Sequence, residues 1–314
     1  MTSPRPFWNP MRLTRRTLLG AGTLLPALPR PGAAQARPDR GTAGRFAEAE
    51  AALARIAGEL GGRAGIAVLD TGGGPALLHD AEAAFPLCST FKLLLAAAIL
   101  ARVEAGRERL DRRLAYGAAD LDAYAPVTGG ALRAGGPEAG GMSVEALCAA
   151  AMVWSDNTAA NLLLGALGGP AALTAWCRDL GDPATRLDRT EPDLNSAVPG
   201  DPRDTTRPAT MAATVAKILL GPTLTEAGRA RLEGWMTASR TGTKRLRAGL
   251  PASWGVGDKT GTGSNGTANV VALLRPPARA PLVAAVYLTG SDAPSEARDA
   301  AHAAIGRVIA ETYG

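Results

Sequence analysis

The stretch CSTFKLLLAAAIL, residues 88–100, predicts the centre of the fold. Its second part, Leu93–Leu100, is apolar at every position, which is typical of a helix that is buried on all sides. Ser89 lies at the start of this helix, and Lys92 follows three residues later. Residues three apart share a helix face, so the hydroxyl and the amine are predicted to be neighbours. Such a pair is a candidate nucleophile with its base. For this motif alone, a helix cap followed by a surface lysine is the alternative.

Both ends of the chain contain a helix and strands. Leu53 and Ile56 recur at helical spacing before Gly61-Gly62, and a last helix carries Ile305 and Ile309 on one face. Because short turns join the strands, we expect an antiparallel sheet of five strands. The predicted strands are Ala64–Asp70, Ala76–His79, Trp254–Gly263, Thr267–Leu274 and Leu282–Thr289.

The middle of the chain, from Ser89 to about Leu220, is rich in alanine and helical in pattern, with polar loops at Ala134–Gly141 and Gly181–Arg207. We therefore predict an α/β fold of the α+β type. An antiparallel five-stranded sheet is flanked by the terminal helices, and an all-helical lobe is inserted. The predicted domain comprises residues 37–314, with the α/β lobe at 43–85 and 221–314 and the all-α lobe at 86–220.

The first 36 residues have the parts of an export signal peptide. The segment Thr14–Leu19 resembles a twin-arginine motif, an apolar run to Leu28 follows it, and Ala34-Gln35-Ala36 offers a cleavage site. The apolar run is too short to span a bilayer. We therefore expect a cleaved leader of the twin-arginine type and a periplasmic or secreted protein, with Met1 or Met11 as the start.

The net charge of +5 does not indicate a nucleic-acid partner. The leader contains five arginines and no acidic residue, and the remaining residues have 29 basic and 29 acidic side chains. The basic character therefore belongs to the leader. We expect no nucleic-acid partner, no membrane partner after cleavage, and a monomer.

Histidine and cysteine are scarce: the chain has His79 and His302, and Cys88, Cys148 and Cys177. None of them forms a cluster with the spacing of a zinc site, so we expect no metal and no cofactor. Both histidines are expected to be packing or surface residues. Cys148 lies in an apolar stretch and is expected to be a small buried residue. An odd cysteine count leaves at least one thiol unpaired, and pairing of Cys148 with Cys177 stays open.

The tripeptide Ser155-Asp156-Asn157 precedes a predicted helix, Thr158–Leu167. Its hydroxyl and amide are two residues apart and are predicted to face one cavity, while the aspartate braces the backbone. An ordinary capping loop is the alternative.

The segment Lys259-Thr260-Gly261-Thr262-Gly263 lies in a predicted strand. It supplies a cation and a hydroxyl, and we expect its glycines to let a ligand lie along the strand edge. A strand weakened by glycine near a turn is the alternative.

Glu191 and Asn195 lie four residues apart in the polar loop. On one helical turn they are predicted to hold a water molecule between them, and the Glu191-Pro192 bond is a candidate for the cis form. Alone, this stretch has the composition of any polar loop.

Together, these four motifs resemble those of the class A serine β-lactamases, for which S-x-x-K, S-D-N and K-T-G are characteristic. The resemblance runs from about Phe46 to Gly314 and includes the phrases RLDRTEPDLNSA, GDKTGTG and SDNTAANLLL. It implies a hydrolase that opens the β-lactam ring through an acyl-enzyme on Ser89 and so confers β-lactam resistance.

The resemblance also implies catalytic roles. Ser89 is the expected nucleophile, and Lys92, or Glu191 through a water, is its expected base. Ser155, assisted by Lys259, is expected to pass a proton to the leaving nitrogen. Glu191 and Asn195 are expected to orient the water that hydrolyses the acyl-enzyme.

The expected substrate is a small-molecule β-lactam. Backbone N–H groups of Ser89 and Thr262 are the expected oxyanion hole. The resemblance assigns the remaining contacts with substrate to Tyr124, Asn157, Asn195, Arg245, Thr260 and Thr262. It assigns an Arg189–Asp204 ion pair to the support of the loop that carries Glu191.

Two departures from the family concern cysteine. Some members join the Cys148 position to another helix, but the matching residue here is Ala96. Members that hydrolyse carbapenems often bridge the Cys88 position to one whose counterpart here is Gly263, so that bridge cannot form.

Two other functions share this acylation chemistry. A penicillin-binding D,D-peptidase has the same serine, lysine and K-T-G groups, and a non-catalytic β-lactam receptor is acylated and remains so. Both lack a carboxylate that activates water, so Glu191 favours the hydrolase.

Overall fold

The computed structural model describes residues 40–314. The predicted export signal lies outside the described residues. In this part of the chain the helices are α1 (Arg40–Leu60), α2 (Phe91–Glu104), α3 (Thr128–Ala134), α4 (Val144–Val153), α5 (Asn157–Leu167), α6 (Pro170–Asp179), α7 (Pro208–Leu220), α8 (Glu226–Thr237) and α9 (Ser295–Tyr313).

The strands lie between these helices, singly or in groups of three. They are β1 (Arg63–Asp70), β2 (Leu77–His79), β3 (Phe85–Pro86), β4 (Arg113–Ala115), β5 (Gly141–Ser143), β6 (Thr205–Thr206), β7 (Gly255–Gly263), β8 (Thr267–Arg275) and β9 (Leu282–Thr289).

The main sheet has five antiparallel strands in the order β2-β1-β9-β8-β7. The predicted sheet is therefore confirmed, and β7 is one of its edges. The turn between β7 and β8 contains Asn265 and Gly266, both with positive φ, as a tight hairpin requires. The short pairs β3–β6 and β4–β5 lie outside the sheet and were not predicted from the sequence.

Each face of the sheet covers a different apolar cluster. Along β8, Val270 and Leu274 face a cluster that contains residues of α1 and α9, because strand side chains alternate between faces. Val271 and Leu273 face the opposite cluster, which contains the helices of the middle segment. The terminal helices also meet directly, since the rings of Phe46 and Tyr313 pack edge to face, 5.4 Å apart.

Helix α2 runs through the centre of the second cluster. Every residue from Phe91 to Leu100 is buried, as its apolar composition predicted. Helix α8 was not predicted, although Thr225 caps it by accepting a hydrogen bond from the backbone of Gly228. The predicted lobe boundaries remain a prediction.

Among the described residues, no single helix has the length and apolar composition to cross a membrane, although α5 and α6, bent by 69°, pass that test as a pair.

Candidate active site

A cleft of about 400 Å³ opens beside the edge strand β7. The residues that line it come from distant parts of the sequence and include most of those predicted from the motifs. They are Ser89, Tyr124, Ser155, Asn157, Asn195, Thr241, Arg245, Thr260 and Thr262.

Ser89 lies in a 3-10 turn, Cys88–Thr90, that leads directly into α2. Cys88 has a φ of 43°, in the left-handed region that residues with a side chain rarely adopt. Ser89 Oγ donates to Oε1 of Glu191 at 3.1 Å and accepts from Nζ of Lys92 at 2.9 Å. The hydroxyl is therefore held between an acid and an amine.

Lys92 is completely buried and connects three of the motifs. Besides Ser89, its Nζ donates to the carbonyl oxygen of Ser155 at 2.8 Å and to Oδ1 of Asn157 at 2.6 Å. It also lies 2.9 Å from Oε1 of Glu191. Burial lowers the pKa of Lys92, and the Glu191 carboxylate opposes this effect. The neutral amine, the form that can accept a proton, is therefore present at a lower pH than in an exposed lysine.

Ser155 and Asn157 face the cleft because Asp156 fixes the loop between them. The Asp156 carboxylate caps α5 by accepting from the backbone of Ala159, and it also accepts from the backbone and hydroxyl of Thr128. The sequence predicted this bracing role. Asn157 in turn donates to Asp122 at 2.9 Å, a contact that the sequence did not predict.

Lys259 lies behind Ser155 and is also completely buried. Its Nζ donates to Oγ of Ser155 at 3.0 Å and to the carbonyl oxygen of Thr260 at 2.8 Å. Burial lowers the pKa of Lys259 well below its usual value, and repulsion from Lys92 lowers it further. Ser155 Oγ thus lies between two lysines, since Nζ of Lys92 is 3.4 Å away.

The glycines of β7 serve close packing of the protein against itself. A Cβ at Gly261 would lie 3.0 Å from the carbonyl oxygen of Leu87 and 3.2 Å from the backbone nitrogen of Ser89. A Cβ at Gly263 would lie 2.6 Å from Sγ of Cys88. We expected these glycines to make room for a ligand. The space that they leave is occupied by the turn that carries Ser89.

Glu191 is held by groups on two sides. Its backbone N–H and C=O both bond to the side chain of Asn161 on α5, at 3.0 and 2.9 Å. Its Oε2 accepts a hydrogen bond from Nδ2 of Asn195, whose Oδ1 is buried with no partner among the described residues. The Glu191-Pro192 bond is cis. The two side chains meet at a 3-10 turn, Asp193–Asn195, and not on one turn of an α-helix.

Arg245 is almost fully engaged by protein groups. Its guanidinium pairs with Asp299 at 2.9 Å and donates to the carbonyl oxygens of Gly261 and Asn269, at 2.8 and 3.1 Å. Its remaining nitrogen, Nη2, donates to Oγ1 of Thr262 at 2.7 Å. The charge is therefore fixed at the wall of the cleft beside β7.

The loop 181–207 is fastened by the expected ion pair between Arg189 and Asp204. Nε of Arg189 lies 2.6 Å from Oδ2 of Asp204, which is buried. Oδ1 of Asp204 accepts the backbone N–H groups of Asp188 and Arg189, and its carbonyl oxygen accepts from Leu87. One aspartate thus ties the loop to the segment before Ser89.

Residues 48–313 match the model of the Beta-lactamase enzyme family. The chain belongs to this family. The β-lactamase CTX-M-6 of Salmonella typhimurium is 44% identical over 254 residues, which are 81% of this chain and 84% of that protein. The β-lactamase OXY-2 of Klebsiella oxytoca is 43% identical over 80% of this chain and 84% of its own length.

Solved structures place this β-lactamase in class A. An ancestral class A β-lactamase superimposes with a TM-score of 0.81 at 56% identity, over 84% of this chain and 100% of the other. A putative class A β-lactamase from Rhodopseudomonas palustris superimposes with a TM-score of 0.80 at 48% identity, over 84% and 98% of the two chains.

Sequence motifs did not indicate every residue of this β-lactamase site. Thr241 lines the cleft, and its hydroxyl lies 2.6 Å from that of Thr260, but it comes from a loop without a recognisable pattern. Asn161 was detectable in principle, because it lies one helical turn after Asn157 on α5.

The three cysteines of this β-lactamase are buried and unpaired, so Cys148 and Cys177 do not form a disulfide. Burial raises the pKa of the Cys88 thiol, and that of Cys177 to about 12, so the thiolate forms are disfavoured. His302 is also buried, and burial lowers its pKa to about 3. Its Nε2 lies 3.1 Å from the carbonyl oxygen of Ala268, and His302 does not line the cleft.

Proposed function

We propose that the protein hydrolyses β-lactams through a covalent acyl-enzyme on Ser89. The observation that carries this proposal is the position of Ser89 Oγ, which contacts Nζ of Lys92 and Oε1 of Glu191 at the same time. A hydroxyl that contacts both a carboxylate and an amine can lose its proton to either base as it attacks a carbonyl carbon.

In the acylation step, Ser89 Oγ attacks the lactam carbonyl and its proton passes to Lys92 or Glu191. The backbone N–H groups of Ser89 and Thr262 stabilise the oxyanion. When the ring C–N bond breaks, the nitrogen takes a proton from Ser155. Ser155 is replenished by Lys259 or Lys92, whose Nζ atoms lie 3.0 and 3.4 Å from its Oγ. Ser89 then carries the acyl group.

Substrate recognition uses the walls of the cleft. Lys259, Thr260 and Arg245 provide positive charge and a hydroxyl along β7, which suit the carboxylate that β-lactams carry. Asn157 hydrogen-bonds the side-chain amide of the substrate. Tyr124, which is 50% exposed, forms the wall of the cleft mouth.

In the deacylation step, Glu191 acts as the base for a water molecule that Asn195 helps to orient. The buried Oδ1 of Asn195 supports this role, since it has no partner within residues 40–314 and can accept a hydrogen bond from water. Water attacks the ester carbonyl and its proton passes to Glu191. The ester bond to Ser89 Oγ then breaks, and Ser89 takes a proton back from Lys92 or Glu191, which contact its Oγ. Glu191 is thus the group that separates a hydrolase from a penicillin-binding peptidase or a receptor.

Mass spectrometry of the intact protein mixed with benzylpenicillin tests this proposal. We expect a transient adduct on the wild-type protein, complete conversion of excess penicillin, and no adduct on Ser89→Ala. Ser143→Ala is the matched control, because Ser143 only caps α4 and should leave turnover unchanged. A long-lived wild-type adduct without turnover would reject hydrolysis and favour the receptor or the peptidase.

We also propose that the protein is exported by a twin-arginine leader and acts as a periplasmic or secreted monomer without a nucleic-acid partner. The leader composition and the balanced charge of residues 37–314 support this. Replacement of Arg15 and Arg16 by lysine should block export in a cell fractionation experiment. Unchanged export would refute the twin-arginine assignment. Analytical ultracentrifugation of the mature protein tests whether it is a monomer.

A further inference from the structure

Four residues lie directly opposite one another across four strands of the sheet. Gly65 on β1 is paired with Tyr287 on β9, Tyr287 with Asn269 on β8, and Asn269 with Gly261 on β7. Directly opposed residues project to the same face of an antiparallel sheet. We call these four residues the support row.

The support row packs against the segment 85–90, which leads to Ser89. Its two glycines permit close approach: a Cβ at Gly65 would lie 2.3 Å from the ring of Phe85, and one at Gly261 would meet Leu87. The other two residues make hydrogen bonds. The hydroxyl of Tyr287 lies 3.1 Å from that of Thr90.

Asn269 makes the central contact of the support row. The residue is completely buried, and its Nδ2 donates to the carbonyl oxygens of Pro86 and Leu87, at 2.8 and 3.2 Å. Its Oδ1 has no partner among the described residues. Burying an amide with an unsatisfied oxygen is costly, so Oδ1 of Asn269 is expected to lower the free energy of unfolding. The two hydrogen bonds from Nδ2 nevertheless hold the segment before Ser89.

These two carbonyls immediately precede the strained residue Cys88. A left-handed φ at a residue with a side chain persists only when its surroundings hold it in place. Asn269 holds the peptide groups before Cys88, and Tyr287 holds Thr90 after it. The position of Ser89 therefore depends on contacts from both sides.

Asn269 also contacts the charged wall of the cleft. Its backbone carbonyl and that of its partner Gly261 both accept hydrogen bonds from Nη1 of Arg245. One residue thus connects the turn of Ser89 with β7 and Arg245, where the carbonyl and carboxylate of a substrate would lie.

We propose that Asn269 is a positioning residue that sets the distance between Ser89 and the edge of β7, and thereby controls acylation more strongly than deacylation. This inference rests on the proposed β-lactam hydrolysis. Deacylation depends on Glu191 and Asn195, and the Asn269 side chain has no hydrogen bond to either among the described residues.

The test compares Asn269→Leu with Thr267→Val. Leucine keeps the size of asparagine and removes both hydrogen bonds. Thr267 is buried on the same strand and bonds the hydroxyl of Thr289. Among the described residues its side chain has no hydrogen bond to segment 85–90, so its variant loses a buried hydrogen bond and leaves those of that segment intact. Both variants are expected to unfold at a lower temperature than the wild-type protein.

The rate of acylation distinguishes positioning from a loss of stability. In a Glu191→Gln background, where the adduct accumulates, Asn269→Leu should slow the appearance of the benzylpenicillin adduct by about 10- to 100-fold per active molecule. Thr267→Val should leave that rate within about twofold, since it does not move the nucleophile. With Glu191 intact, decay of the adduct of a slowly hydrolysed substrate should be slowed less than acylation in Asn269→Leu, and should keep the wild-type rate in Thr267→Val.

Each result has a defined meaning. Acylation of Asn269→Leu at the rate of Thr267→Val, or an equal loss in acylation and deacylation, would overturn the positioning role. If the leucine variant does not fold, Asn269→Ala takes its place under the same criterion. A wild-type protein that forms no adduct at Ser89 would refute the proposed hydrolysis itself, which separates the two failures.

Discussion

Nζ of Lys92 lies 2.9 Å from Oε1 of Glu191, and both side chains are completely buried. Removing two charges from water is costly, and a buried ion pair is often less stabilising than apolar residues of the same size. Stability therefore does not account for this pair. The position of the pair beside Ser89 accounts for it, because the amine and the carboxylate can exchange the proton that the nucleophile must lose.

Replacement of Glu191 by glutamine should trap the acyl-enzyme. The amide cannot accept a proton from water, so we expect the lifetime of the benzylpenicillin adduct to increase by about 10²- to 10⁴-fold, measured by mass spectrometry. Glu108→Gln is the matched control, since Glu108 is also buried and paired, with Arg112 at 2.5 Å. That variant should turn over normally. Rapid loss of the adduct from Glu191→Gln would show that another group activates the water.

The pH dependence of kcat/KM should show the low pKa of Lys259. Burial lowers this pKa, so the ammonium is lost at a lower pH than in an exposed lysine, whose pKa is about 10.5. As the pH rises through the lowered value, attraction for the substrate carboxylate disappears and kcat/KM falls. Lys259→Arg, which stays charged, should move this fall to higher pH. The exposed Lys217, replaced by arginine, should leave the profile unchanged. If kcat/KM of Lys259→Arg fell at the same high pH as that of the wild-type protein, a group other than Lys259 would be responsible for the fall.

Asp204→Asn should destabilise the loop that carries Glu191. The substitution leaves Arg189 without its buried partner, and we expect the free energy of unfolding to fall by about 3 kcal/mol in urea denaturation. Deacylation should slow more than acylation, because Glu191 lies on this loop. Arg203→Ala removes an exposed ion pair with Asp201 and should have a much smaller effect. Equal effects of the two variants would contradict the anchoring role of Asp204.

Gly261→Ala should slow acylation by at least about tenfold, because the added Cβ displaces the turn of Ser89 from β7. Gly255→Ala, on the same strand, is the control. Its Cβ would come no closer than 3.4 Å to Arg275, an ordinary contact. Single-turnover measurements with a chromogenic cephalosporin would compare the two. Full activity of Gly261→Ala would mean that the contact between β7 and the turn is adaptable.

Local patterns predicted those parts of the molecule in which neighbours in sequence are also neighbours in space. The apolar run Leu93–Leu100 predicted the central helix, and the spacing of Ser89 and Lys92 predicted their contact. Helix α8 was missed because its apolar residues are few, and most of its surface is exposed.

Contacts between segments that are distant in the sequence were harder to predict. The purpose of Gly261 was misjudged because the segment that it accommodates lies more than 170 residues earlier in the chain. Asn269 carried no signal at all, since an asparagine in an apolar strand has no fixed meaning until its partners are known. Four motifs were recognisable together because the chemistry restricts the residue types at each one.

The pairing of β1 with β9 has a consequence for synthesis of the protein. The first strand of the sheet emerges from the ribosome long before its central partner, so the sheet cannot close until β9 has been made. Until then, β1 and β8 both present unpaired edges, which are open to association with other chains. Closure of such a distant pair is also slow. A premature stop codon anywhere before Leu282 should therefore yield insoluble material and not a weakened enzyme.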